Sequence, residues 1–100
     1  MIVTYDNEVD AIYFKLTENK IDSTEPETDR IIIDYDKDNN IVGIEVLDFY
    51  YLVKKGLTVA DLPFPEDERL TVSQYFNILL LFNPEGKYKD CYIILRSSKN

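Results

Sequence analysis

Three stretches in the N-terminal half alternate apolar and polar residues with a period of two, which restricts this part of the chain to a sheet with one buried face. In residues 10–16, Ile12, Phe14 and Leu16 fall on one face and Ala11, Tyr13 and Lys15 on the other. In residues 30–36, Ile31, Ile33 and Tyr35 oppose Arg30, Ile32 and Asp34; three consecutive Ile favour a strand because branched side chains fit a pleated surface. In residues 41–48, Val42, Ile44 and Val46 oppose Ile41, Gly43, Glu45 and Leu47. A short β-rich run, residues 1–5, leads through Asp6, Asn7 and Glu8 into the first of these. Residues 37–40 form a turn in which either Asn tolerates positive φ. Gly43 in mid-strand signals a bulge or the close approach of another group.

Residues 17–29 are polar and acidic, contain Pro26, and read as a long exposed loop or an irregular edge segment. Asp48 is expected to cap a helix over 49–55 that Gly56 ends, with Lys54 and Lys55 in its last turn. Residues 57–68, with Pro63 and Pro65, form a connector with one helical turn around 59–62. In 71–82 the stripe Val72, Tyr75, Phe76, Leu79, Leu80 favours a helix capped by Thr71 and stopped by Pro84; a buried strand over 78–82 is the alternative. Residues 88–95 read as a strand, apolar on both faces and so expected inside a sheet, either within the chain or paired with its equivalent in a homodimer. The expected fold is a single α+β domain: a four-stranded antiparallel β meander over 2–50, one or two helices, and a C-terminal strand, with 51–100 packed on the meander. One hundred residues is the size of one domain.

Charge divides the chain more sharply than structure does. Residues 1–50 hold thirteen Asp/Glu against four Lys/Arg, a net of −9; residues 51–100 hold six against seven, a net of +1. An acidic excess repels phosphate backbones and attracts basic surfaces, so direct nucleic-acid binding is not expected and a basic protein partner is. Glu8, Asp10, Glu18, Asp22, Glu25, Glu27 and Asp29 are the candidate contacts. No apolar stretch approaches the ~20 residues that span a bilayer. The N-terminus runs straight into a β-like segment, so a cytoplasmic protein without signal peptide or membrane contact is expected.

The sequence has no His, which removes the usual general base and every His-based triad. Its one cysteine, Cys91, excludes an intramolecular disulfide and reads as a small buried hydrophobe. Ser23, Ser73, Ser97 and Ser98 lie in no nucleophile-elbow context, and three glycines make no phosphate loop. Residues 34–45 place Asp34, Asp36, Asp38 and Glu45 at positions 1, 3, 5 and 12 of a calcium loop. However, position 6 is Asn39 instead of Gly, and the flanks read as strands where that loop needs helices. The same residues make an Asx-rich hairpin turn, and no cofactor is expected.

The blocks Tyr5-Asp6-x-Glu8-x-Asp10-Ala11-Ile12-Tyr13-x-x-Leu16, Ile33-Asp34-Tyr35-Asp36 and Ile41-Val42-Gly43-Ile44-Glu45-Val46-Leu47-Asp48 resemble the small bacterial domain-of-unknown-function family 2283 over residues 2–50. The resemblance implies an antiparallel meander followed by a helix, in small prokaryotic or phage-borne proteins, some of them neighbours of small toxins. It brings no catalytic residues. The chain departs from the pattern at Asn39, where Gly is frequent, and in the fifty residues that follow Asp48.

The expected function is a non-enzymatic, acidic protein-interaction module, antitoxin-like or regulatory, that binds a basic protein. A phage-borne inhibitor that mimics nucleic acid is the alternative, and a metal-dependent hydrolase a second one.

Overall fold

The structure, a computed structural model, describes residues 1–6, 8–82 and 92–96, with 77–82 and 92–96 described by their backbone alone. Its elements are β1 (Ile2–Asp6), β2 (Ala11–Lys15), β3 (Ser23–Pro26), β4 (Ile31–Tyr35), β5 (Ile41–Leu47), α1 (Phe49–Lys54), single 3-10 turns at Val59–Asp61 and Glu66–Glu68, α2 (Arg69–Phe82) and β6 (Tyr92–Arg96). The strands form one antiparallel sheet in the order β3-β4-β5-β2-β1-β6.

That order corrects the meander. The two hairpins, β1–β2 and β4–β5, join through β2 and β5, so β4 is not the neighbour of β2. The register sets Ile12 against Val46 and Phe14 against Ile44, all four fully buried. This arrangement puts β5, with Val42, Gly43, Ile44 and Val46 buried, in the middle of the sheet. Residues 23–26, read as part of a loop or of an irregular edge segment, take the second form and pair with β4 as an edge strand. Pro26 is compatible with that edge position because a proline cannot serve a ladder on both sides. β6 also differs from its expected interior place: among the described residues it is the outermost strand, paired with β1. Residues 88–91 and Cys91 lie outside the described residues.

The period-two faces are as expected. Val3, Tyr5, Ile12, Phe14, Ile33, Ile44 and Val46 bury one face of the sheet beneath α1, the connector and α2. Their cover is Phe49, Leu62, Phe64, Val72, Tyr75 and Phe76, so one core draws on both halves of the chain. Aromatic rings run through it: Tyr5 meets Phe49 (6.2 Å), Phe49 meets Phe76 edge-on (4.9 Å), and Phe14 packs against both Phe76 (6.1 Å) and Phe64 (4.9 Å). Each such pair adds about 0.5–1.5 kcal/mol beyond its buried area. The opposite face, with Thr4, Ala11, Tyr13, Lys15, Ile32, Asp34 and Glu45, is half-buried and carries no described helix.

α1 ends as expected. Gly56 has φ 112°, its N–H donates to the Val53 carbonyl (3.0 Å), and the Leu57 N–H donates to the Leu52 carbonyl (2.9 Å), a Schellman arrangement. α2 is the favoured helix, and Val72, Tyr75 and Phe76 are buried along it. It begins at Arg69, so Thr71 is not its cap; the 3-10 turn Glu66–Glu68 runs directly into it and sets three acidic residues at its positive end.

Candidate functional site

The acidic residues have two fates, and local backbone chemistry decides between them. Asp10 sits at φ 53°, a left-handed conformation that Asp tolerates better than most residues. There its Oδ1 accepts the Tyr5 hydroxyl (2.7 Å) and the Tyr50 N–H (2.9 Å), its Oδ2 lies 3.1 Å from the same N–H, and its carbonyl accepts the Phe49 N–H (3.0 Å). Asp10 therefore caps α1 from the β1–β2 turn, doing what the side chain of the N-cap residue Asp48 does not, and is not an exposed contact. Asp48, the expected cap, makes no capping bond: it too is left-handed (φ 53°), and its carboxylate accepts Arg30 Nε at 2.7 Å.

Asp36 is likewise consumed. Only 7% exposed, its Oδ1 accepts the N–H groups of Asp38 and Asn40 (both 2.9 Å), and its Oδ2 accepts Asn19 Nδ2 (2.9 Å) and, at 3.5 Å, Asn40 Nδ2. These donors, the Asn40 N–H first, hold its carboxyl below the usual aspartate range. Asn39 supplies the positive φ, 65°, that closes the turn. Asp38 is exposed on that turn, Asp34 lies across from Gly43, and Glu45 lies across from Ile32, so the four calcium-loop carboxylates do not converge. Among the described residues no group of three or more Cys, Asp or Glu could hold a metal ion.

The remaining candidates are exposed and divided between the ends of the sheet. Asp6, Ala11 and Leu47 are in register, and the Leu47 N–H donates to the Arg30 carbonyl; this places Glu8 at the same end as Glu27 and Asp29. Glu18 and Asp22 lie at the other end, where Leu16 bonds Val42 and Asp22 bonds Tyr35. Glu25 is on the β3 edge. Lys15 pairs with Glu18 (3.0 Å), and Arg30 lies 3.8 Å from Asp29. No single row of acids results.

The open face carries an arrangement that the sequence hinted at only through Gly43. The Tyr13 hydroxyl donates to Asp34 Oδ2 (2.7 Å), and Asp34 Oδ1 accepts the Thr24 hydroxyl (2.6 Å). The phenol crosses β5 directly over Gly43, where a Cβ would collide with Tyr13 Oη and Cζ. This is the close approach expected at Gly43, and a register shift at Asp34/Tyr35 beside it supplies the bulge as well. Burial, then the hydrogen bond and charge of Asp34, then the charge of Glu45, raise the Tyr13 phenol above its ordinary value, so it stays protonated and serves as a donor. Beside the ring lies a groove of about 170 Å³ with Asp6 and Glu45 on its walls, Thr4 and Ala11 along it, and Val9 at its rim. Cross-strand register builds this groove, and no contiguous motif records it.

None of this amounts to an activated nucleophile. The Ser73 hydroxyl donates to the Leu70 carbonyl one turn back (2.7 Å). Among the described residues no helix is long and apolar enough to cross a membrane.

Residues 2–49 match a family model described as Protein of unknown function (DUF2283). The match covers the two hairpins, β3 and the start of α1, and bears out the resemblance read from the sequence blocks. Several residues of those blocks have structural duties: Tyr5 and Asp10 hold the start of α1, Asp48 turns the chain into it, and Gly43 makes room for Tyr13. No curated protein and no solved structure matches the chain.

Proposed function

We propose that this chain, whose residues 2–49 match a family of unknown function, is a non-enzymatic interaction domain that binds a basic protein surface. The supporting observation is what the fold does with its acids. Asp10, Asp36 and Asp48 are used internally, whereas Glu8, Asp22, Glu25, Glu27 and Asp38 are exposed and make no ion pair among the described residues. Exposed, uncompensated charge of one sign favours encounter with a partner of the other sign and acts on association more than on folding. An antitoxin-like or regulatory partnership in the cytoplasm is the concrete form of this reading. Distribution of the acids over both ends of the sheet favours a partner that wraps the domain over mimicry of a phosphate row.

The test is a pull-down on the immobilised chain at about 50 mM and about 500 mM salt, because the screening length falls from roughly 14 Å to roughly 4 Å over that range. Basic proteins enriched at low salt and released at high salt, and lost when Glu25 and Glu27 are changed to Lys, are the expected result. No enrichment of basic proteins at low salt would remove the reading.

A further inference from the structure

The groove beside Tyr13 differs from the rest of the acidic surface in having a shape. Its walls are a carboxylate from β1, Asp6, and one from β5, Glu45, set on either side of the β2 positions Ala11 and Tyr13. The Tyr13 ring is held in place: its hydroxyl is tied to Asp34 at 2.7 Å and lies in space that a side chain at position 43 would fill. The site thus has a fixed aromatic wall, two anionic walls and no Lys or Arg among its described lining residues. Glu45 makes no hydrogen bond or ion pair among the described residues, and Asp6 uses one oxygen to accept the Glu8 N–H (3.0 Å). The volume, about 170 Å³, is below the range of about 300–1,000 Å³ usual for small-molecule sites and suits one long side chain.

We propose that this groove receives an arginine side chain of the basic partner, its guanidinium against the Tyr13 ring and its N–H groups donating to Asp6 and Glu45. The assignment rests on the reading of the preceding subsection and says where the partner's key contact goes. Arginine fits better than lysine for a geometric reason. A planar guanidinium can stack on a ring while its edge donates in two directions, whereas an ammonium is a compact, strongly hydrated charge. Because the ring is already held by Asp34, little conformational freedom is lost on binding.

The experiment is an amide-shift titration of the full chain at low salt with a hexa-arginine peptide and, separately, a hexa-lysine peptide. Hexa-arginine is expected to shift residues 4, 6, 11, 13 and 45 and to bind at least about fivefold more tightly than hexa-lysine. Glu45→Gln, and Asp6→Asn, which keeps an oxygen for the Glu8 N–H, should each weaken hexa-arginine about fivefold or more, while Glu25→Gln should change it less than twofold. Equal affinity for the two peptides, or Glu45→Gln and Asp6→Asn binding like the parent, overturns the groove while leaving a diffuse acidic interaction surface intact. No binding of either peptide overturns both readings together.

Discussion

Asp10 and Tyr50 lie forty residues apart in sequence, and the carboxylate of the first accepts the backbone N–H of the second at 2.9 Å. A turn between two strands thereby fixes where a helix begins. Replacing such a cap by alanine costs about 0.5–2 kcal/mol, and alanine at a left-handed φ adds about 1 kcal/mol. Asp10→Ala should therefore lower stability by about 2 kcal/mol in urea unfolding. Asp10→Asn should lose much less, because asparagine caps well and tolerates the same backbone. An Ala variant with the parent midpoint would show that α1 does not depend on this contact.

Gly43 and Tyr13 make a second prediction. In Gly43→Ala the new methyl occupies the place of the phenol, and overpacking of this kind costs about 1–3 kcal/mol. The loss should shrink in a Tyr13→Ala background, where nothing remains to displace. A double-mutant cycle reads the coupling; additive losses would mean that the two residues do not share the space.

The pH dependence has two arms with opposite signs. Asp36 has a depressed carboxyl in the folded chain, so its contribution is present above the unfolded value of about 3.9 and fades as pH falls through the lower folded value. Asp36→Asn should lower stability at neutral pH and flatten the acid limb of a stability–pH curve. Tyr13 has a raised phenol, so its contribution is present below about pH 10 and is lost as pH rises through the folded value. Tyr75 is raised as well, by burial and then by the nearby Glu68. In an absorbance titration at alkaline pH, Tyr13→Phe should remove part of the late-titrating phenol signal and leave part; no change in the late fraction would contradict the Tyr13–Asp34 bond.

A fourth prediction concerns β6. It covers the edge of β1 along Ile2–Asp6, and an uncovered strand edge invites pairing with other chains. A fragment of residues 1–87 should aggregate or unfold at lower temperature than the full chain in light-scattering and thermal melts. A soluble fragment with unchanged thermal stability would make the C-terminal strand an appendage.

How much of this could be read in the sequence depended on range. Faces set by alternation were legible because each residue decides its own side: Ile12, Phe14, Ile33, Ile44 and Val46 are buried where the pattern put them. Gly43 and Gly56 were legible because each marks a local geometric demand. The pairing of β2 with β5 was not, because the same alternation suits either neighbour of β2. β3 was legible only as one of two readings, an irregular edge segment or a loop, since Ser23, Thr24, Glu25 and Pro26 carry no apolar period and are held by the strand beside them. Asp48 resembled a helix cap by position, and only the folded chain shows that Asp10 reaches the site first. The groove beside Tyr13 is assembled from β1, β2 and β5, and its parts lie too far apart in sequence to form a motif.

Pro26 has a consequence for how such sheets can grow. The Glu27 N–H donates to the Ile31 carbonyl, so by strand alternation Glu25 and Ser23 face β4, while Thr24 and Pro26 turn their backbone outward. Pro26 has no N–H to offer, so the outer side of β3 presents the Thr24 donor alone. The β3 flank therefore offers an incoming strand an incomplete ladder, and among the described residues the opposite flank is β6. Two chains joined through β6 would carry a proline-weakened flank at each end. Association by this route would favour a pair over a fibre.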